Sequence, residues 1–494
     1  MSMTVDPVAV EDVAPEHSEF KRQLTWRDGF VIALVVPVGI FITIGPTIGL
    51  LGAWATATLF AIAASVGITQ NFIFAEMAAM FPNKPGGIAL YAHEGWRKYF
   101  APVGAVAAFG YWAGWALSNS IFALTFGSLI AAQFFPHATW TISTGTAHIG
   151  LGAIIGIPCL LSAWFLNIKG IRPTVQLNKV LAVFTVGLMA LLVVGPVVTG
   201  KFHFSNLSWN LGQAGQAWGG WRLAIVFLFI MGWTAYATEI CATFAPEYRD
   251  QRRDTTKALR MAGAFTLLMA TLLPLGLGGT VGDSAIAQNP GEVYASAFKE
   301  IIGPASGLVT VLICAGIYLV MSSCTADAGR ALYGIARDDM TIKQLNHLND
   351  RGIPERAMTL DVVVNLLLLV FVSNVLGIIF ASNVGYFFAI IFALTGFVLL
   401  RRDRPNWPRP IKLGRAWVPI ALLLTLYNSI LLVVGFFSPK DAGYGGLTEQ
   451  LIGVGILASS LALFGFRRLV QDRTSLRLKE DVPAEPVAAP ATIS

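Results

Sequence analysis

The sequence has few charged residues and few cysteines, and both shortages narrow what the protein can be. Only 13% of its 494 residues are Asp, Glu, Lys or Arg, whereas soluble domains carry about 25%. All four cysteines, Cys159, Cys241, Cys314 and Cys324, lie in apolar stretches, so neither a disulfide framework nor a metal site is expected. The patterns HExxH, GxSxG, Walker A and CxxC are absent. The composition argues against a soluble enzyme and against a disulfide-rich secreted domain.

Long apolar runs dominate the chain instead. Hydrophobic residues make up 55% of the sequence, and the mean hydropathy is +0.65. A membrane-spanning helix needs about 20 apolar residues. Twelve segments meet this requirement and are numbered as spans 1 to 12: 29–53, 55–80, 100–133, 148–167, 174–199, 221–244, 260–282, 303–334, 358–379, 382–400, 417–438 and 448–466. We therefore expect an all-α integral membrane protein with 12 transmembrane helices.

The net charge of +6 comes from basic residues that are distributed unevenly. With a cytoplasmic N-terminus and twelve spans, 30 of the 34 Lys and Arg residues fall on the cytoplasmic side. The other four are Lys201, Arg222, Lys299 and Lys440. This is the positive-inside bias of a cell-membrane protein, and it predicts that both termini are cytoplasmic. No nucleic-acid partner is needed to explain the basic composition.

Both ends of the chain are polar. Residues 1–25 are predicted to be a disordered cytoplasmic tail, because they are largely acidic and lack the apolar core of a signal peptide. Residues 469–494 end in VPAEPVAAPATIS and are predicted to be a second disordered tail. Residues 26–468 would form the membrane domain.

Spans 1 and 6 contain residues that intact membrane helices usually avoid. Span 1 includes VVPVGIFITIGPTIG, with two prolines and three glycines, and span 6 places Trp233 and Glu239 within GWTAYATEICATF. Broken helices at matching positions in two halves of a chain indicate a substrate site at mid-membrane. We expect a solute carrier in which spans 1–5 and 6–10 form an inverted repeat, with spans 11 and 12 as accessory helices.

Four further stretches, in order along the chain, support this interpretation: VPVGIF in span 1, FAEMAAMFPNKPGGIALYAHEGW at 74–96, NIKGIRPTVQLNKV at 167–180 and RALYGIARDDM at 330–340. Together they resemble the motifs of permeases of the amino acid–polyamine–organocation (APC) superfamily. Two positions depart from that pattern, since Pro37 and Asp339 stand where the family usually has glycine. The resemblance implies a secondary active transporter for amino acids that works by alternating access and needs no cofactor. A polyamine or other organic amine is the alternative substrate.

The resemblance also implies a substrate site in span 1. At Val38, Gly39 and Ile40, unwound backbone N–H groups would bind a substrate carboxylate, assisted by the positive end of the following half-helix. Glycine would let the ligand approach the backbone, and Pro37 would break the helix by ring clash. The alternative is that glycine and proline only allow close helix packing here.

In span 6 the resemblance places Ala237 at the usual glycine of the helix break. It places Glu239 where many members have a functional acid, and Trp233 where some exchangers have an aromatic lid over the substrate. An intramembrane carboxylate is costly unless it is paired or hydrated, which favours a function for Glu239 over a structural hydrogen bond. Asn119 in span 3 would present its amide to the substrate, or would form a helix–helix hydrogen bond.

The coupling ion can be a proton or sodium. Ser322 and Ser323 in span 8 would offer hydroxyl groups to a sodium ion, or would be packing residues. Asp327 is a second buried acid, but Arg330 lies one turn away and we expect the two to form an ion pair. Proton coupling through Glu239 is the preferred hypothesis, and exchange without a coupling ion stays open.

Other classes of protein have less support. His93 and Glu94 form the only pair that suggests catalysis, and they lie in a predicted cytoplasmic connection, so no enzyme is expected. No repeated filter of a channel is present, whereas a receptor that binds solute without moving it is not excluded. A polyamine site should have more than one buried acid facing the cavity, and Glu239 is the only good candidate, which favours amino acids. The oligomeric state stays open.

Overall fold

The described part of the chain is almost entirely helical. The computed structural model describes residues 22–81, 84, 86–135, 137–138, 140–144, 147–288, 293–303, 306–371, 375–443 and 446–483. Its α-helices are α1 Trp26–Ala33, α2 Val35–Leu51, α3 Ala53–Met80, α4 Gly87–Phe100, α5 Pro102–Ala116, α6 Ser118–Phe134, α7 Leu151–Ile168, α8 Ile171–Val198, α9 Trp221–Tyr236, α10 Ile240–Thr243, α11 Gln251–Val281, α12 Asp283–Gln288, α13 Val293–Ile302, α14 Ser306–Arg337, α15 Glu355–Phe371, α16 Val375–Asp403, α17 Trp417–Phe437 and α18 Leu447–Phe466. Short 3₁₀ segments lie at Phe204–Asn206, Ala217–Gly220, Ala237–Glu239, Ala245–Glu247, Lys343–Leu345 and Pro439–Ala442, and a π-helical turn lies at Arg467–Gln471.

Most of the predicted spans correspond to helices of membrane length. Eleven helical segments of described residues are long and apolar enough to cross a membrane, and they match spans 1–8 and 10–12. Span 9 corresponds to α15, whose described part has 17 residues and ends beside the undescribed residues 372–374. The helical membrane architecture is therefore observed, whereas the twelfth span and the inverted repeat stay predictions.

The described residues include one short β-hairpin within the otherwise helical fold. Strands β1 (Thr141–Thr144) and β2 (Ala147–Gly150) form an antiparallel hairpin before α7, with Ile142 opposite Ile149. The hairpin follows from local chemistry, because Thr and Ile are β-branched and favour extended backbone. Each strand has only four residues, too few to stand out beside the long apolar runs.

Glycine allows some helices to pack with their backbones nearly in contact. A Cβ atom at Gly110 in α5 would lie 2.4 Å from the carbonyl oxygen of Gly385 in α16. A Cβ at Gly95 in α4 would lie 2.4 Å from the Cα of Gly396 in the same helix α16. Small residues at such crossings are typical of membrane helices, and here they hold α16 against the helices on both sides of Ala101.

This packing predicts that Gly110→Ala destabilises the protein. The added methyl would overlap the Gly385 backbone, and overpacking of this kind costs about 1–3 kcal/mol. Gly187→Ala in α8 is the matched control, because nothing lies within 4 Å of a Cβ at Gly187. We expect the midpoint of thermal unfolding in detergent to fall for Gly110→Ala and not for Gly187→Ala. Equal midpoints would contradict the close crossing of α5 and α16.

The segment after α18 makes specific contacts, although the sequence predicts a disordered tail from residue 469. The backbone N–H of Ala101 donates to the carbonyl of Leu478 at 2.8 Å, and the N–H of Glu480 donates to the carbonyl of Arg97 at 2.8 Å. The Arg97 guanidinium also pairs with the Glu480 carboxylate at 3.2 Å. Residues 1–21 and 484–494, which hold most of the predicted tails, lie outside the described residues.

Candidate substrate and coupling site

Span 1 is divided, but not where we expected. The structure breaks the helix at Leu34, between α1 and α2, whereas Val38, Gly39 and Ile40 are helical within α2. The Val38 N–H donates to the Leu34 carbonyl at 3.3 Å. Pro37 explains the position, since proline lacks an N–H and is tolerated only in the first turn of a helix. The prediction that the backbone is unwound at these three residues is therefore wrong for this structure.

Gly39 contacts Trp233, which the sequence predicted to be a substrate lid. A Cβ at Gly39 would lie 3.3 Å from Cζ3 of Trp233. The indole Nε1 donates a hydrogen bond to the carbonyl of Gly114 at 2.9 Å, and the ring lies against Phe122 with a centroid distance of 5.8 Å. Trp233 is 3% exposed. Spans 1, 3 and 6 therefore meet at this indole, and the missing side chain of Gly39 makes room for it.

Span 3 is also divided, which the sequence analysis missed. Helix α5 ends at Ala116, Leu117 is a turn residue, and α6 begins at Ser118. The Gly114 carbonyl accepts the Trp233 indole N–H and also the Ser118 hydroxyl at 3.0 Å. Side chains thus satisfy a carbonyl next to the break, as the apolar interior requires. No local pattern signals this, because Trp233 is remote in sequence.

Glu239 lies at the division of span 6. Helix α9 ends at Tyr236, residues Ala237–Glu239 form a 3₁₀ turn, and α10 begins at Ile240. The Glu239 side chain is 2% exposed, and its Oε1 accepts a hydrogen bond from the hydroxyl of Tyr386 in α16 at 2.5 Å. Within the described ranges, no Lys, Arg or His forms an ion pair with Glu239. This carboxyl group is therefore buried with a neutral partner, in an interior where an uncompensated charge is costly.

Asp327 in α14 is a second buried carboxyl group without a cation. Neither of its oxygens has a hydrogen-bond partner among the residues that the structure describes, and the side chain is inaccessible to solvent. The expected Asp327–Arg330 ion pair is wrong. Arg330 binds both carboxylate oxygens of Glu247 instead, with Nη2 at 3.1 Å from Oε2. The planar guanidinium matches a carboxylate in this two-point geometry, which explains why Glu247 takes it.

Asp327 faces hydroxyl groups from two other spans. The hydroxyls of Tyr111 in α5 and Thr243 in α10 are beside it, and these two oxygens are 3.2 Å apart. Tyr111 also packs against Tyr386, with ring centroids 6.3 Å apart, and Tyr386 in turn donates to Glu239. The Tyr111–Tyr386 ring contact therefore joins the surroundings of the two buried acids.

Asn119 is engaged with a third buried acid that the sequence analysis missed. Its Nδ2 donates to Oγ1 of Thr325 at 3.2 Å and to Oδ2 of Asp361 at 3.2 Å. Asp361 in α15 also accepts from the amide of Asn365 at 3.4 Å, and Asn365 accepts the N–H of Ser120 at 2.8 Å. These bonds tie α6, α14 and α15 together. They support the helix–helix alternative for Asn119 rather than direct presentation to substrate.

Asp361 adds to the number of buried acids, which bears on the choice between an amino acid and a polyamine as substrate. From the sequence, Glu239 is the only good candidate for a buried acid facing the cavity, whereas the structure buries Asp361 as well as Glu239 and Asp327. The missed signal was an aspartate inside span 9, since an ionisable residue in a span is a functional candidate by default. Asp361 is bonded to Asn119 and Asn365, so its burial alone does not decide between an amino acid and a polyamine.

The two serines proposed for sodium are bonded to neighbouring helices. The Asn167 amide in α7 donates to the carbonyl of Ser322 at 3.0 Å and to its hydroxyl at 3.4 Å. The Asn178 amide in α8 donates to the hydroxyl of Ser323 at 3.1 Å. Both serines are buried, and these bonds favour a packing role over a sodium site.

On one side of the bundle, the chain entering span 1 is fastened to the end of span 6. This side, which carries segments 86–98, 169–179, 249–260, 330–356, 401–415 and 467–479, is called the basic face. The N–H groups of Gln23 and Leu24 both donate to the Glu247 carbonyl at 2.9 Å, and the Arg249 N–H donates to the Leu24 carbonyl at 2.9 Å. Asp28 in α1 forms an ion pair with Lys179 in α8. Because Glu247 also binds Arg330, spans 1, 5, 6 and 8 are linked at this face.

His93 and Glu94 belong to a structural ion cluster on the basic face. Burial lowers the pKa of His93 to about 3, against the opposing effect of Glu94, so the imidazole is neutral. Burial alone would raise the pKa of Glu94, but Lys84 and Arg404 outweigh it and hold this pKa at about 2. Glu94 accepts from Lys84 at 2.8 Å and from the buried Arg404 at 2.7 Å. The Glu94 carboxylate is fully paired and the His93 imidazole is neutral. These contacts support a structural role for both residues in the connection between spans 2 and 3.

A bundle of membrane-length helices, with buried acids in its core and one of them at a helix break, defines an integral membrane protein. The sequence profile of the family described as Amino acid permease matches residues 24–459, so the chain belongs to this family. The family is part of the APC superfamily, which confirms the resemblance seen in the sequence motifs.

Three curated relatives cover most of the chain. The amino-acid permease RocE of Bacillus subtilis (strain 168) is 23% identical over 363 residues, covering 70% of this chain and 73% of the relative. The lysine-specific permease LysP of Escherichia coli (strain K12) is 22% identical over 370 residues, covering 72% of each. The polyamine transporter PUT1 of Oryza sativa subsp. japonica is 22% identical over 457 residues, covering 86% and 75%. The matches point to a transporter rather than an enzyme, with a small-molecule substrate.

Proposed function

We propose that the protein carries amino acids across the cell membrane by alternating access and couples this movement to protons. The observation that carries the proposal is Glu239, a buried carboxyl group with a tyrosine partner at the division of span 6. Such a group can take up a proton or a substrate ammonium and release it when the site opens to water. The names of RocE and LysP support amino acids as the substrate class.

The substrate would bind where spans 1, 3, 6 and 8 meet. Trp233 fills the space beside Gly39 in this structure, so its indole must move before a ligand can contact that glycine. For the N–H groups of Val38, Gly39 and Ile40 to bind a carboxylate, α2 must unwind by one turn from its start at Val35. Ala237 and Glu239 would then face the substrate from the divided span 6. The Gly39–Trp233 contact is therefore assigned to a closed state.

Opening towards the basic face would separate the contacts that link spans 1, 5, 6 and 8 there. Lys179 of the Asp28–Lys179 pair is half exposed, whereas both partners of the Glu247–Arg330 pair are buried. With the basic face in the cytoplasm, as the positive-inside bias predicts, breaking these contacts would release substrate into the cell.

Asp327 is proposed as a second proton-carrying group. It has no cation partner, and the hydroxyls of Tyr111 and Thr243 connect its surroundings to those of Glu239. We expect Asp327→Asn to bind and exchange substrate but to show an altered pH profile of uptake, because one of the two groups on the path of the coupled proton is lost. Asp361→Asn is the comparison, since that acid already accepts two amide hydrogen bonds. An unchanged pH profile in Asp327→Asn would contradict this role.

The direct test of the proposed function is uptake into liposomes that contain the purified protein. Pooled radiolabelled amino acids and, separately, polyamines would be supplied with and without an inward proton gradient. Gradient-driven accumulation of an amino acid is the expected result. Uptake of polyamines alone would favour the alternative substrate, which the similarity to PUT1 and the three buried acids support. Binding without any movement would favour a receptor.

A further inference from the structure

A cleft of about 810 Å³ opens on the basic face, away from Glu239. The chain entering α1, the first turns of α8, the segment after α10 and the side of α11 form its walls. Trp26 lies at its edge, with the Lys257 ammonium 4.0 Å from the centre of one indole ring. Tryptophan is typical of the boundary between the lipid hydrocarbon and water, which places the cleft at headgroup level.

The cleft carries an excess of positive charge. Three cationic side chains, Arg27, Lys179 and Arg249, line it, and Asp28 is the single acid among the lining residues. Asp28 is paired with Lys179, whose side chain stays 50% exposed. Neither Arg27 nor Arg249 forms an ion pair with any residue in the described part of the chain. An anion would therefore find two uncompensated guanidinium groups and one half-exposed ammonium.

An apolar surface continues from the cleft into the membrane. On α8, Gln176 and Lys179 line the cleft, and Val180 and Val183 follow on the same helical face, four and seven residues after Gln176. Val180 is 56% exposed and Val183 is 71% exposed. On α11, Met261 lines the cleft, and the exposed Leu268 follows two turns later. Both helices run from the basic face into the membrane along these residues. Their exposed apolar rows therefore face lipid hydrocarbon.

We propose that this cleft binds the phosphate-bearing headgroup of an anionic phospholipid, whose acyl chains lie along α8 and α11. Basic pockets between membrane helices on the cytoplasmic side suit such headgroups. The phosphate would interact with Arg27, Arg249 and Lys179, and it would compete with Asp28 for Lys179. Because the Asp28–Lys179 pair ties α1 to α8, a bound lipid would loosen the linkage at the basic face and raise the transport rate.

Tryptophan quenching tests the site in the full-length protein. Liposomes would contain phosphatidylcholine with increasing fractions of brominated phosphatidylglycerol, and the Trp26 signal would be obtained by subtracting the signal of Trp26→Phe. We expect brominated phosphatidylglycerol to quench Trp26 at low fractions and the quenching to saturate. Brominated phosphatidylcholine should show no saturable quenching. At about 1 kcal/mol per basic residue near the surface, Arg27→Gln/Arg249→Gln should weaken the affinity about 30-fold.

The matched control is Arg351→Gln/Arg415→Gln, which removes the same charge from exposed positions of the basic face outside the cleft. This control should keep the wild-type saturation curve. Equal curves for the two double variants would overturn the proposal, and so would equal quenching of wild-type Trp26 by both lipids. Inorganic phosphate and glycerol phosphate should not displace the lipid at millimolar concentration, and displacement by them would assign the cleft to a soluble anion instead. The comparison of the two lipids needs only the wild-type protein and Trp26→Phe, so it decides the matter even where an arginine variant fails to fold.

Discussion

Replacing Glu239 by glutamine is expected to abolish accumulation of substrate against its gradient, while exchange of substrate across the membrane persists. One pH unit corresponds to 1.36 kcal/mol, so one coupled proton sustains about a tenfold accumulation ratio. At an inward gradient of two units, the wild type should reach a ratio of about 100, and Glu239→Gln a ratio of about one. The reason is that the amide keeps the volume and the partner Tyr386 but cannot carry a proton. Liposome uptake with an imposed gradient measures both ratios.

Tyr386→Phe is the control for this variant. It removes the hydrogen bond to Glu239 and leaves the carboxyl group in place, so it should still accumulate substrate, with a displaced pH profile. If Glu239→Gln accumulated substrate to the same ratio as the wild type, Glu239 would have no coupling role. Loss of both accumulation and exchange in Glu239→Gln would assign Glu239 to substrate binding alone.

Replacing Arg330 by methionine is expected to cause a large loss of stability. The substitution would leave the Glu247 carboxylate buried without its partner, and breaking a buried ion pair from one side costs about 3–5 kcal/mol. The guanidinium also packs over the ring of Phe244, with 4.6 Å between its central carbon and the ring centre. The midpoint of thermal unfolding in detergent should therefore fall sharply.

The double variant Arg330→Met/Glu247→Leu separates the ion pair from simple packing. Removing both charges leaves no uncompensated group, and such replacements are often neutral or stabilising. We expect the double variant to recover most of the lost unfolding temperature. A single variant that is as stable as the double variant would show that Glu247 is not an isolated buried charge when Arg330 is absent. Arg351→Met, at an exposed position, should leave the midpoint unchanged.

The helices could be predicted because their signal is strong and local. Apolar runs of membrane length identify spans without any knowledge of packing, and the structure has helices at their positions. The division of span 6 at Ala237–Glu239 coincides with the position that the family motifs indicate. The division of span 1 could not be placed to the residue from composition alone. Its position depends on where Pro37 can be accommodated, which is in the first turn after the helix restarts at Val35.

The bonding partners of the buried groups could not be predicted, because they come from distant parts of the chain. Arg330 and Glu247 are 83 residues apart, whereas the sequence argument considered only a neighbour at helical spacing. The Gly114 carbonyl, next to the unexpected division of span 3, accepts a hydrogen bond from the indole of Trp233, 119 residues later. Asp361 was visible in the sequence as an acid within an apolar span, but its link to Asn119 required the arrangement of three helices.

The most direct test of the proposed account is whether an amino acid brings protons with it. Liposomes containing the protein and a trapped pH-sensitive dye would receive the amino acid identified by the uptake screen, with no imposed pH gradient and with potassium and valinomycin holding the membrane potential at zero. The account predicts acidification of the interior by the wild-type protein and none by Glu239→Gln. Entry of the amino acid into wild-type liposomes without acidification would contradict proton coupling at this site.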